Sequence, residues 1–124
     1  IPVTHRGVSE SFWVITGTTK DGKLSKDVLD AAKTNATVII LMGVSKLQEI
    51  VEIYSNVGKS ETAVALIQNG SLPSEKIALG RINTILKEVA NNKIEAPAVI
   101  VIGEVVNLLE KKNQSKTLLQ YNPN

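Results

Sequence analysis

Thr37-Val38-Ile39-Ile40-Leu41-Met42-Gly43-Val44-Ser45-Lys46 is the stretch that decides the fold. Its first half is a continuous apolar run rich in β-branched residues, which suits a strand covered on both faces. Gly43 permits a sharp turn or a close approach of backbone to ligand. Ser45, with Gln48 three residues on, makes a capping-box pattern for a following helix. The stretch thus predicts a buried strand over residues 37–42, a tight turn and a helix start. In open α/β sheets ligands bind beyond the carboxyl ends of strands. Met42-Gly43 stands at such an end and is the first candidate site.

Working outward, residues 45–57 read as the clearest helix. Leu47, Ile50, Val51, Tyr54 and Val57 follow the i, i+3, i+4, i+7 stripe, and Glu49 and Glu52 face away. Gly58 is placed to end that helix. Residues 12–18, 63–68 and 97–103 have strand composition, and residues 76–80 suit a short further strand. Pro97 is tolerated at a strand's first position. Shorter helices are predicted over residues 25–33 and 83–91. Leu24, Val28, Leu29 and Ala32 lie towards one face of the first, and Ile82, Ile85, Leu86 and Val89 towards one side of the second. Another helix starts near Val105, and residues 112–124 read as a frayed polar tail. Strands alternating with helices indicate an α/β fold. The link over residues 71–74 is too short for a crossover, so a mixed sheet of about five strands flanked by helices is expected. Residues 1–124 form one domain.

Composition excludes several function classes. Fourteen basic against twelve acidic residues leave a net charge of +2, too small and dispersed to argue for nucleic acid. One Trp, one Phe and two Tyr give little stacking surface for unpaired bases. With no Cys there is no disulfide framework and no thiol nucleophile. No apolar run nears the roughly 20 residues that cross a bilayer, and no membrane partner is expected. No signal pattern opens the chain, so a cytoplasmic location is expected. The opening Ile1-Pro2 has the look of a piece cut from a longer chain.

The candidate sites divide by chemistry. Three strands end in glycine-bearing turns, at Met42-Gly43, Asn69-Gly70 and Ile102-Gly103. Turn chemistry alone accounts for a glycine there, yet the first two also carry a side chain able to touch a ligand. Met42 is equally suited to filling a core. Gly58-Lys59-Ser60 resembles the end of a phosphate loop, but Ile53 stands where that pattern needs glycine. The pattern is rejected. His5 is the single histidine, with neither a triad nor a second metal-ligating histidine around it. Arg6 is either an ordinary surface charge or a bidentate clamp for a carboxylate. Glu49, Glu52 and Lys46 read as a solvated helix face.

The residues Ile1-Pro2-Val3-Thr4-His5-Arg6-Gly7, Thr16-Gly17, Thr37 to Gly43, Lys59-Ser60-Glu61-Thr62, Val64 to Ser71 and Pro97 to Val106 carry a resemblance. In order and spacing they resemble the tetrapyrrole methylase family. Two departures are Ala63, where the family often has proline, and Ser71, where threonine is usual. The resemblance implies methyl transfer from S-adenosylmethionine to C2 and C7 of uroporphyrinogen III. The product is precorrin-2, which leads to sirohaem and cobalamin. It implies a homodimer of two-domain subunits with the cofactor folded between the domains. This chain then corresponds to the C-terminal domain, without the N-terminal one, and alone it is expected to be inactive. Carried over by motif, Met42 lines the cofactor and substrate cleft, Gly70 contacts the adenosyl group through its backbone, and Arg6 faces the substrate carboxylates. No residue of this domain is assigned a catalytic role, and no metal is implied. Competing readings are a sister methylase acting on another corrinoid, and a non-catalytic binding or dimerisation module.

Overall fold

The structure, a computed structural model, describes residues 11–108. His5, Arg6, the end of the last predicted helix and the tail lie outside the described residues. Five strands form one sheet: β1 (Phe12–Thr16), β2 (Thr37–Leu41), β3 (Ala63–Gln68), β4 (Lys76–Arg81) and β5 (Ala98–Ile102). Three helices pack on it: α1 (Asp27–Ala32), α2 (Leu47–Asn56) and α3 (Ile85–Asn91). The spatial order is β1-β2-β5-β3-β4, with β1 and β2 parallel and the other pairs antiparallel. The mixed sheet expected from the short 71–74 link is what forms. Among the described residues no helix is long and apolar enough to cross a membrane.

The alternation of side chains along each strand sorts the sheet into two faces. Ile15, Val38, Ile40, Ile100, Val64, Leu66 and Ala78 point to the helical side and join Val28, Leu47, Ile50, Tyr54, Ile82 and Ile85 in the main core. Ala63, Ala65, Val101 and Val106 make a smaller core on the opposite face. β3 and β5 are therefore buried on both sides, which is why they read as continuous apolar runs. β2 is covered fully on the helical side only. On its other face Ile39 is half-buried and Leu41 exposed, so the expectation of a strand covered on both faces does not hold for it. Register places Ile40 between Ile15 on β1 and Ile100 on β5, three β-branched side chains side by side in the core layer.

Several local expectations change. Ser45 does not cap a helix. Val44–Lys46 instead form one 3-10 turn, closed by the Lys46 N–H donating to Gly43 O at 2.9 Å, and α2 starts after it with no side-chain cap. The backbone closes the turn first, so the Ser45–Gln48 capping box has no free helix end to serve. Leu29 and Leu86 are each 42% exposed. On α1 the buried residues are Val28, Ala31 and Ala32, whose i, i+3, i+4 spacing turns Leu29 off the face. Leu86 is likewise displaced beside Ile85 on the seven-residue α3. The end of α2 is as expected: Gly58 has φ 81°, and the Gly58 and Lys59 N–H groups donate to Ser55 O and Tyr54 O at 3.1 and 2.8 Å. These two bonds close a Schellman motif, for which the missing Cβ of Gly58 removes the usual left-handed penalty.

Candidate functional site

The strand directions decide which turns meet. β1, β2 and β3 run the same way, and β5 runs against them. The carboxyl ends of β1, β2 and β3 therefore share one edge of the sheet with the start of β5. Thr18, Met42-Gly43, Asn69-Gly70 and Ala96-Pro97 all lie along it. Gly103, the third glycine-bearing turn, ends β5 and so lies at the opposite edge, beside Thr37. It is not part of the same corner.

Two adjoining clefts open on the carboxyl edge. One, of about 380 Å³, is bounded by Thr18, Met42, Val44, Ser45 and the segment Ala96-Pro97-Ala98. The other, of about 260 Å³, joins Met42 to Asn69-Gly70 across Pro97 and Ala98, with Leu41 and Ile67 below. Met42 is common to both, so the two sequence candidates Met42 and Gly70 are brought together. Among the described residues, neither lining contains a charged side chain. The Glu95 N–H donates to Gln68 Oε1 at 2.7 Å, which fastens the lead-in to Pro97 against the end of β3.

Met42 is the unusual residue. Its φ is 54°, and its side chain is 67% exposed. A left-handed conformation costs an unbranched non-glycine residue about 1 kcal/mol. Gly43 beside it could adopt that conformation freely but sits at φ −116°. Gly43 is there for room: a Cβ on it would stand 2.6 Å from Ile40 Cγ2 and 3.2 Å from Ile100 Cδ1. The turn thus spends its glycine on packing and places the strain on the methionine. The fold leaves a large apolar side chain in water, on a strained backbone, at the lip of an uncharged cleft. Asn69 repeats the pattern at φ 53° before Gly70, which has only Ile67 Cγ2 within 3.4 Å of a built Cβ.

Sequence reasoning missed Thr18 and the Ala96-Pro97-Ala98 segment. Pro97 was legible as a strand start. Its place beside Met42 depends on β5 running antiparallel between β2 and β3, for which the local sequence holds no signal.

A separate cavity of about 220 Å³ lies at the other edge, lined by Thr34, Asn35, Ala36, Tyr54, Lys59, Thr62, Ile102, Gly103 and Glu104. The Lys59 ammonium donates to Thr34 O, and burial lowers its pKa from the usual lysine value. Tyr54 is 2% exposed, and its hydroxyl has no hydrogen-bond partner among the described residues. Burial pushes its phenol pKa well above the ordinary value. The folded chain therefore keeps the phenol neutral at pH values where the unfolded chain ionises it. The associated stability is present below about pH 10 and is lost as pH rises beyond it. Lys59 has the opposite sign, because its burial penalty is relieved as pH rises. Tyr54→Phe removes the unpaired hydroxyl and the alkaline liability together. We expect it to raise stability by about 1 kcal/mol near neutrality, with a gap over the parent that widens above about pH 10. Urea melts of both proteins across that range check this; a less stable phenylalanine variant near neutrality would mean that the hydroxyl is paired in solution.

Comparison with known proteins bears on the carboxyl-edge corner. The family model for Tetrapyrrole (Corrin/Porphyrin) Methylases matches residues 1–86, more than half of the chain. The chain belongs to the tetrapyrrole methylase family. Among relatives of this methylase chain, uroporphyrinogen-III C-methyltransferase of Methanocaldococcus jannaschii is 41% identical over 115 residues, covering 90% of this chain and 47% of that protein. A siroheme synthase of Psychrobacter arcticus is 32% identical over 109 residues, covering 87% of this chain and 20% of that one. The crystal structure of uroporphyrin-III C-methyl transferase from Thermus thermophilus, complexed with S-adenyl homocysteine, superposes with a TM-score of 0.74 at 25% identity. It covers 86% of this chain and 48% of its own. The methylase chain thus spans about half the length of the two methyltransferases, and its mixed five-stranded sheet is the fold it shares with the Thermus thermophilus enzyme.

Proposed function

We propose that this chain is the C-terminal domain of an S-adenosylmethionine-dependent uroporphyrinogen-III C-methyltransferase. On this reading the parent enzyme methylates C2 and C7 of its substrate and releases precorrin-2 and S-adenosylhomocysteine. The observation that carries it is the meeting of Met42 and Gly70 in one uncharged cleft, in a chain 41% identical to an enzyme of that name. The bound form of the Thermus thermophilus relative supports S-adenosylmethionine as cofactor. The siroheme synthase relative supports a place in sirohaem formation.

The residues present fit such a cofactor. When bound, S-adenosylmethionine supplies an electrophilic methyl group on a sulfonium sulfur. Transfer would form a carbon–carbon bond at the pyrrole carbon while the carbon–sulfur bond breaks with its electron pair left on sulfur. That carbon carries no hydrogen, so the charge would be balanced by loss of a proton from elsewhere on the macrocycle. The chain's contribution is alignment and exclusion of competitors. Met42 offers a polarizable thioether wall, and Gly70 exposes backbone with no side chain in the way. Pro97 and Ala98 complete an apolar floor. No carboxylate, amine or thiol in the described lining competes with the pyrrole carbon for the methyl group. Arg6, outside the described residues, is assigned to the substrate carboxylates, which a guanidinium holds bidentately. The N-terminal domain supplies the second wall, a second copy completes a homodimer, and the enzyme works in the cytoplasm.

The test is an assay of the full-length parent protein with S-adenosylmethionine and uroporphyrinogen III. Precorrin-2 with two equivalents of S-adenosylhomocysteine is the expected result, with no turnover by the 124-residue chain alone. Absence of methylated product from the parent protein would reject the substrate assignment, and turnover by the short chain would reject the two-wall arrangement.

A further inference from the structure

We propose that Thr18 is the positioning residue that holds Met42 in its strained conformation and so presents its side chain to the cleft. The inference rests on the cofactor reading above for its purpose, but on independent geometry for its substance. The Thr18 hydroxyl donates to Met42 O at 2.6 Å, joining residues 24 apart in sequence. Two neighbouring bonds also brace the turn, Gly17 N–H to Leu41 O at 2.6 Å and Lys46 N–H to Gly43 O at 2.9 Å. Both of those are backbone bonds that any sequence provides. The Thr18 bond is the brace that depends on a side chain.

Thr18 is itself firmly placed. It forms an isolated antiparallel bridge with Leu24. On either side of it the Ser25 N–H donates to Gly17 O and the Thr19 N–H donates to Lys23 O, both at 2.7 Å. The segment from Gly17 to Ser25 is therefore a closed lip, with the hydroxyl carried at its inner side. That lip borders the same cleft as Met42. A fixed donor aimed at the carbonyl of a residue with φ 54° selects one peptide orientation at the turn. Without it Met42 can relax to negative φ, and its side chain leaves the position shared by the two clefts. A ligand that needs the held form then binds more weakly in proportion to the population lost.

Met42 is the only methionine in the chain, so a protein labelled with 13C at methionine methyl groups gives one methionine methyl signal. Thr18→Val keeps the side-chain shape and removes the donor; Thr18→Ser keeps the donor. In the 124-residue chain the valine variant is expected to shift or broaden the Met42 signal, and the serine variant to restore it. In the full-length parent protein, affinity for S-adenosylhomocysteine is expected to fall about tenfold in the valine variant and to stay within about threefold in the serine variant. A parent-like Met42 signal in Thr18→Val overturns the positioning role. Failure of the unmodified parent protein to bind S-adenosylhomocysteine rejects the cofactor reading instead, leaving the spectral comparison to decide the role of Thr18. Urea melts add a readout that a merely structural contact would not pass. Glycine adopts positive φ without a brace, so the midpoint shift caused by Thr18→Val is expected to shrink by at least about half in a Met42→Gly background, whereas equal shifts in both backgrounds overturn the proposal.

Discussion

Ile40→Ala is expected to destabilise the chain by about 4 kcal/mol, within the range of roughly 2 to 5 kcal/mol seen for fully buried aliphatic truncations. The high end applies because the site cannot collapse easily. Ile40 is 0% exposed and is flanked in register by Ile15 and Ile100 on neighbouring strands. Its Cγ2 also occupies the room beside two glycines: a Cβ on Gly17 would stand 2.7 Å from it and one on Gly43 2.6 Å. Truncation therefore leaves a void bordered by backbone at two places, and backbone held in a sheet and a 3-10 turn moves little to fill it. A loss of that size is a large part of the roughly 5 to 15 kcal/mol that holds a domain together. Urea unfolding of both proteins measures it. A loss under about 1 kcal/mol would mean that the turn collapses onto the smaller side chain, and that Ile40 is not the pillar beneath the Met42 corner.

Gly43→Ala is the converse experiment. It adds a methyl where there is no room, and overpacking of this kind costs about 1 to 3 kcal/mol. The conformation is not the obstacle, since φ −116° suits alanine. The obstacle is Ile40 Cγ2 at 2.6 Å, which is a branch at Cβ and cannot rotate away without abandoning its rotamer. Leucine lacks that branch. Ile40→Leu alone is expected to cost under about 1.5 kcal/mol, and the double variant less than the sum of the singles, by about 1 kcal/mol of favourable coupling. A four-protein urea cycle reads this directly. Strict additivity would sink the steric account and place the role of Gly43 in its backbone freedom.

How far the sequence foretold this corner depends on the range of each signal. The apolar runs of β3 and β5 were legible because these strands are buried on both faces and need no alternation, whereas β2 keeps its apolar run with Leu41 exposed. The stripe of α2 was legible because ten residues give nearly three turns over which periodicity can add up. On α1 and α3, with six and seven residues, a phase error of one residue, about 100°, was enough to misplace Leu29 and Leu86. At residues 42–43 the sequence reads as a turn that Gly43 permits, with no residue assigned to left-handed backbone. Sequence rules assign left-handed backbone to glycine, whereas the structure gives it to Met42 and uses Gly43 for space. Two demands fell on adjacent positions, and one glycine met the steric one. Met42 and Gly70 were named as candidates and the structure brings them to one cleft, but Thr18 and Pro97 were not found. Their relation to Met42 is a matter of strand order, which no window of sequence carries. Arg6 stood between a surface charge and a carboxylate clamp until the family resemblance assigned it to the substrate, and it lies beyond the described residues.

The order β1-β2-β5-β3-β4 has a consequence for how the chain is made. The strand at the centre of the sheet is the last of the five described strands to leave the ribosome. Until residues 98–102 emerge, β1-β2 and β3-β4 are two separate ribbons, each with an unpaired apolar edge, and two-stranded ribbons are marginal in water. Met42 belongs to one ribbon and Gly70 to the other. Pro97 and Ala98, which lie between them, arrive with the strand that joins the halves. Completion of the cleft and closure of the sheet are therefore one event, so a chain that stops short of residue 98 has no corner with which to capture a ligand.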